Sequence, residues 1–179
     1  MEAKIDPMKY IANKIDEYGY TMIFTEFMVE NTELCIAYTI GMSQQNLPEF
    51  MVTGLPQEKS AQFLYGLVSK VLEGTIDLDK VSASPTETLL LQDINSIPLR
   101  LVDVTDYFFA QKENGQVPLK VNDFHPHLIS RYYEEKGTAT PIKLTILCYP
   151  DKNGLFAWDP GSDIKGLDLF EVTQRARIH

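Results

Sequence analysis

Residues 34–56, LCIAYTIGMSQQNLPEFMVTGLP, decide how this chain folds. Leu34–Ile40 is a short apolar run and reads as a strand. Tyr38 and Ile40 point to one face of it and Thr39 to the other. Gly41 ends the strand, where a side chain would obstruct something or where φ must be positive. Leu47 precedes proline and is pushed into an extended conformation. Glu49–Thr53 is the next strand, Gly54 breaks it, and Pro56 opens a helix. Two strand exits with glycines can lie side by side in a sheet. Their backbone amides would then be open to a ligand or partner, and the stretch reads as a pocket rim or contact surface. The plain alternative is that glycine and proline terminate strands in every protein.

Working outward, Asp6 can cap a first helix and Pro7 fits its first turn. Met8, Ile11, Ala12, Ile15 and Tyr18 recur at helical spacing, and Gly19 supplies a left-handed stop. Tyr20–Val29 changes period and reads as a strand. A polar turn, Glu30–Glu33, joins it to Leu34–Ile40 as a hairpin. After Pro56, Ala61, Leu64, Leu67, Val68, Val71 and Leu72 form an apolar helical stripe that Gly74 closes. Leu89–Gln92 and Leu99–Val104 read as strands. A short helix carries Tyr107, Phe108 and Ala110, and Glu113–Pro118 reads as a loop. The segment after Pro126 is helical, with Leu128, Ile129, Tyr132 and Tyr133 inward and Gly137 as the stop. Ile142–Tyr149 is a late strand, PDKNG a turn, and Leu155–Trp158 its returning partner. Hairpins with helices between them define an α+β class: a mainly antiparallel sheet built from hairpins, with helices packed on it and covering one face.

The totals narrow the function. The chain has 179 residues, 44% of them hydrophobic, which suits one core and one domain over 1–179. A net charge of −9 and a pI near 4.8 argue against binding along a nucleic-acid backbone. The densest basic run, Gln174–Arg177, holds only two arginines. Acidity also disfavours anionic membranes, and no apolar run approaches the roughly 20 residues of a membrane span. The N-terminus lacks the apolar core of a signal peptide. Cys35 and Cys148 sit inside predicted strands and read as reduced, buried thiols, so the expected compartment is the cytoplasm. Gly-rich phosphate loops are absent, and no cofactor is expected.

The segments YTIGM…PEFMVTGLP and YPDKNGLFAWDPG, over roughly Ala37–Glu73 and Ile142–Gly161, resemble a bacterial family known as domain of unknown function four-two-six-two. That family typically shows a Tyr-Thr-Ile-Gly strand end, a His-Pro-Glu triplet, a strand leading to Gly-Leu, a Trp-Pro-Asp turn and a Pro-Trp-Asp-Pro-Gly stretch. Here Leu47 stands where the family has histidine, with Asn46 one place earlier, and Tyr149 where it has tryptophan. Any acid–base role of that histidine in the family is therefore missing from this chain.

Other residues bear on chemistry. Trp158, the only tryptophan, reads as a pocket wall or an interface anchor. Asp159 reads as a hydrogen-bond acceptor or base, or simply as the turn residue of Asp-Pro-Gly. Glu49 and Asp159 are candidates for a paired-carboxylate site, which needs both in one cleft. Asp123, His125 and His127 alternate on an extended segment and could converge on a metal. No fourth ligand or zinc spacing accompanies them, so a surface loop is expected and no metal. A Cys–His pair lacks a helix N-terminus to activate the thiol.

The leading expectation is a small binding module for a protein partner or a small molecule. Its rim is built from Tyr38, Thr39, Gly41, Asn46, Glu49, Gly54, Trp158 and Asp159. Acidity suits a basic protein partner, as for an immunity-like or inhibitor protein. The alternative is a hydrolase with Glu49 or Asp159 as general base.

Overall fold

A computed structural model describes residues 6–29, 31–78, 89–90, 98–112, 115–118, 127–138 and 141–164. The Asp6 carboxylate accepts from the Met8 amide at 3.0 Å and starts helix α1, Pro7–Tyr18. Gly19, at φ 82°, stops it as its amide closes on the Ile15 carbonyl. Strand β1, Thr21–Val29, turns back into β2, Thr32–Ile40, with Thr21 opposite Ile40 and Val29 opposite Thr32. A single 310 turn, Met42–Gln45, then leads into β3, Glu49–Leu55, and helix α2, Gln57–Leu72.

The remaining elements among the described residues are β4 (Leu89–Leu90), β5 (Pro98–Asp103), the one-turn α3 (Thr105–Phe108), β6 (Phe109–Lys112), β7 (Gly115–Pro118), α4 (His127–Lys136) and β8 (Leu144–Cys148). Among the described residues six strands form one sheet in the order β1-β2-β3-β8-β5-β4, and β6 and β7 pair separately. Every neighbouring pair is antiparallel except β3 and β8, which run parallel with Glu49 beside Leu144. The class is α+β, as the alternating hairpins predict.

Helices cover both faces of the sheet, not one. On the first face, Met8, Ile11 and Ile15 of α1 and Ile129, Tyr132 and Tyr133 of α4 pack against Ile36, Tyr38, Ile40, Met51 and Ile146. On the second, Phe63, Leu64, Leu67, Val68 and Val71 of α2 pack against Cys35, Ala37, Phe50, Val52, Leu101 and Leu147. The reason lies in the central strands. Leu144–Cys148 is buried at every position, and a strand apolar on both sides needs cover on both.

Other local expectations also change. Gly54 does not end β3. Cys35 pairs with Leu55 and Ile36 with Thr53, so Gly54, at φ 83°, is the extra residue of a bulge. Phe109–Lys112 and Gly115–Pro118 form a hairpin rather than a helix end and a loop. Leu155–Trp158 is a series of turns, because the Asp151 carboxylate takes the Asn153 and Leu155 amides and bends the chain away from β8. Tyr18 and Leu72 project outward, 60% and 45% exposed, at the ends of their helical stripes.

Candidate functional site

The candidate rim residues divide between the two ends of the sheet. β2 and β3 are antiparallel, with Tyr38 opposite Met51 and Cys35 opposite Leu55. Gly41 and Gly54 therefore lie roughly 20 Å apart, at about 3.3 Å per residue. Thr39, Gly41, Asn46 and Glu49 gather at the first end, with Tyr38 one position inward. Gly54, Trp158 and Asp159 belong to the second, where β3 and β8 both finish.

At the first end the amides of the 310 turn are already occupied. Gly41, at φ 118°, and Asn46, at φ 58°, bracket the turn in left-handed conformations. The Gly41 and Ser43 amides point inward and meet the Glu49 carboxylate at 3.1 and 3.0 Å. The Ser43 hydroxyl donates at 3.1 Å and the Thr39 hydroxyl at 2.7 Å. The Tyr133 hydroxyl, from α4, donates to the same carboxylate. Five donors thus enclose a carboxylate with no exposed surface, and no cation pairs with it among the described residues. Burial pushes the Glu49 acid above its usual range, against the pull of the Tyr133, Thr39 and Ser43 hydrogen bonds. Burial likewise pushes the Tyr133 phenol up, and Glu49 beside it adds to the shift. Gln44 extends the contact by donating to the Tyr132 hydroxyl at 2.8 Å. Chemically this is an internal clasp: the carboxylate fills the small anion-binding hollow of the turn. Four of the five donors crowd one carboxylate oxygen and the Thr39 hydroxyl alone reaches the other, so the group is engaged as an acceptor inside the fold.

At the second end, Asp159 does the ordinary work of Asp-Pro-Gly. Its carboxylate accepts the Phe156 amide at 2.8 Å. Asp151 takes the amides of Asn153, Leu155 and Asp163 at 2.8, 2.9 and 3.1 Å. Tyr149 anchors the start of the segment by donating to the Thr53 carbonyl at 2.9 Å. The result is a rigid platform on which Phe156 and Trp158 stack, with centroids 4.9 Å apart and planes 4° from parallel. Arg100, from β5, lies against both rings, 4.6 Å from Phe156 and 5.6 Å from Trp158. Arg100 and Phe156 escaped the sequence reading. The one available signal was a lone arginine within the apolar run PLRLVD.

Among the described residues no group of three or more His, Cys, Asp or Glu side chains could hold a metal. His127 is exposed at the start of α4, while Asp123 and His125 lie outside the described residues. Cys35 and Cys148 are buried and unbridged. Among the described residues no helix is long and apolar enough to cross a membrane.

The sheet, the enclosed glutamate and the platform fall within one family match. The chain belongs to the family described as Domain of unknown function (DUF4262), whose model matches residues 14–163. No curated protein and no solved structure matches the chain.

Proposed function

We propose that this chain is a cytoplasmic binding module for a basic protein partner, in the manner of an inhibitor or immunity-like protein. The observation that carries the reading is a cluster of tyrosines where α1, β1 and α2 meet. Tyr18 and Tyr65 are 60% and 64% exposed. Half-buried Tyr20 lies near Tyr65, and Tyr18 lies near Glu17 and Tyr65. Tyrosine gives a large contact area with a polar tip and is favoured at interface centres. Glu17 lies beside Tyr18 and pairs with Lys14 at 3.4 Å, Asp16 faces Lys136 at 3.9 Å, and the negative balance comes from the chain as a whole, of net charge −9. Such a surface steers a positively charged partner. The two reduced thiols support a reducing compartment.

Two features weigh against the hydrolase. Glu49 is enclosed by donors, and Asp159 is at the opposite end of the sheet, so the two cannot share a cleft.

The test is native mass spectrometry of the tagged chain purified gently from its host, beside a Tyr18→Ser/Tyr65→Ser variant. The expected result is a basic protein bound to the wild type, released at high salt and absent from the variant. A bare chain in both preparations would overturn the reading. So would a hydrolytic activity that Glu49→Gln abolishes without unfolding the protein.

A further inference from the structure

We propose that Arg100, Phe156 and Trp158 form an anion site that accepts a carboxylate- or phosphate-bearing small molecule. The site is independent of the tyrosine cluster. Arg100 sits on an interior strand, next to Leu99 and Leu101, which are buried against the opposite face. Its own side chain is half-buried on the face of Phe156 and Trp158. A guanidinium is charged at every working pH, and one withdrawn this far from water ordinarily meets a carboxylate. Among the described residues none accepts a hydrogen bond from Arg100 or pairs with its charge, and its Nε is buried without a partner. The aromatic faces supply part of the missing counter-charge. They also hold the fork still, since the rings are fixed by the Asp151 and Asp159 turns.

With Nε closed to solvent, a ligand meets the guanidinium end-on, through its two terminal nitrogens. Those present parallel N–H donors that match two oxygens of one carboxylate or phosphoryl group. The rings themselves are buried, 6% and 8% exposed, so they position the guanidinium and the ligand meets its nitrogens. The surrounding chain is acidic, so affinity is modest and falls as bulk anions compete.

Trp158 is the only tryptophan, so its fluorescence reports this site alone. The full chain is titrated with sodium acetate and, separately, with inorganic phosphate, each against sodium chloride at equal ionic strength. The expected result is a saturable change in Trp158 emission that chloride does not reproduce. It is absent in Arg100→Met, which keeps an apolar stem against the rings. It is at least about tenfold weaker in Arg100→Lys, which keeps the charge but loses a donor of the fork. Tighter acetate binding assigns a carboxylate ligand and tighter phosphate binding a phosphoryl one; either supports the site. A response equal to that of chloride, or one retained in Arg100→Met, overturns it. If circular dichroism finds Arg100→Met unfolded, Arg100→Lys decides, read on the single tryptophan indole N–H resonance. Unchanged affinity there overturns the proposal.

Discussion

The Tyr133 hydroxyl and the Glu49 carboxylate meet 84 residues apart in sequence, with the Gly41 amide bonded to both. One contact therefore ties α4 to the start of β3 and to the turn leaving β2. Glu49→Gln puts an amide N–H among groups that are themselves donors. It should cost about 1–3 kcal/mol, and Tyr133→Phe a similar amount. The two losses should be non-additive, because both remove the same contact. Urea unfolding of the two single variants and the double variant measures this. Purely additive effects would show that the contact contributes little.

The same carboxylate gives stability a pH dependence of definite sign. Burial raises the folded-state pKa of Glu49 above its unfolded value. Between those values the folded chain binds more protons than the unfolded one, so this contribution is full below the unfolded pKa and is lost as pH rises through the folded one. Wild type should therefore lose stability relative to Glu49→Gln as the pH rises from the ordinary carboxylate range. Denaturant midpoints of both proteins across that range check the prediction. A gap that widens in favour of wild type would reverse the assigned shift.

Gly41 carries two constraints at once. Its φ is 118°, and a Cβ there would lie 2.8 Å from the Gly19 carbonyl oxygen and 2.9 Å from the Tyr20 Cα. Both obstacles are backbone and cannot swing aside. Gly41→Ala should cost more than the about 1–3 kcal/mol of an unfavourable backbone conformation alone. Gly137, at φ 65° with nothing within 4 Å of a built Cβ, is the control. Gly137→Ala should cost about 1–2 kcal/mol. Thermal unfolding of the two variants separates crowding from conformation.

What the sequence made legible was local. Asp6, Pro7 and Gly19 punctuate α1 where their chemistry requires. The Leu64, Leu67, Val68 and Val71 stripe faces the core, and the β1–β2 hairpin follows from a change of period around a polar turn. The partner of Glu49 was not legible, because nothing near residue 49 announces a tyrosine at 133. The insertion of β8 beside β3 was likewise hidden: parallel pairing is set by distant packing, not by a turn. The candidate rim divided for a separate reason: antiparallel β2 and β3 send Gly41 and Gly54 to opposite ends. Arg100 was missed for a related reason. A single arginine in a strand reads as an outward residue until the rings from residues 156 and 158 arrive over it.

Cys35 and Cys148 provide separate reporters for the two halves of the core. Cys35 lies with α2 on one face of the sheet and Cys148 with α1 and α4 on the other. Neither thiol is bridged, their exposures are 0% and 6%, and burial pushes the Cys35 thiol up. A thiol reagent attacks the thiolate, so burial protects both by blocking access and protects Cys35 also by suppressing its ionisation. In native buffer both should react orders of magnitude more slowly than in denaturant. The strands carrying them share one sheet, so both should become reactive together and at the rate of global opening. Timed alkylation followed by peptide mass spectrometry resolves the two sites. Should Cys148 react well ahead of Cys35, the α1–α4 face opens on its own. In that case the Glu49–Tyr133 contact, which fastens α4 to β3, is weaker than five donors around one carboxylate imply.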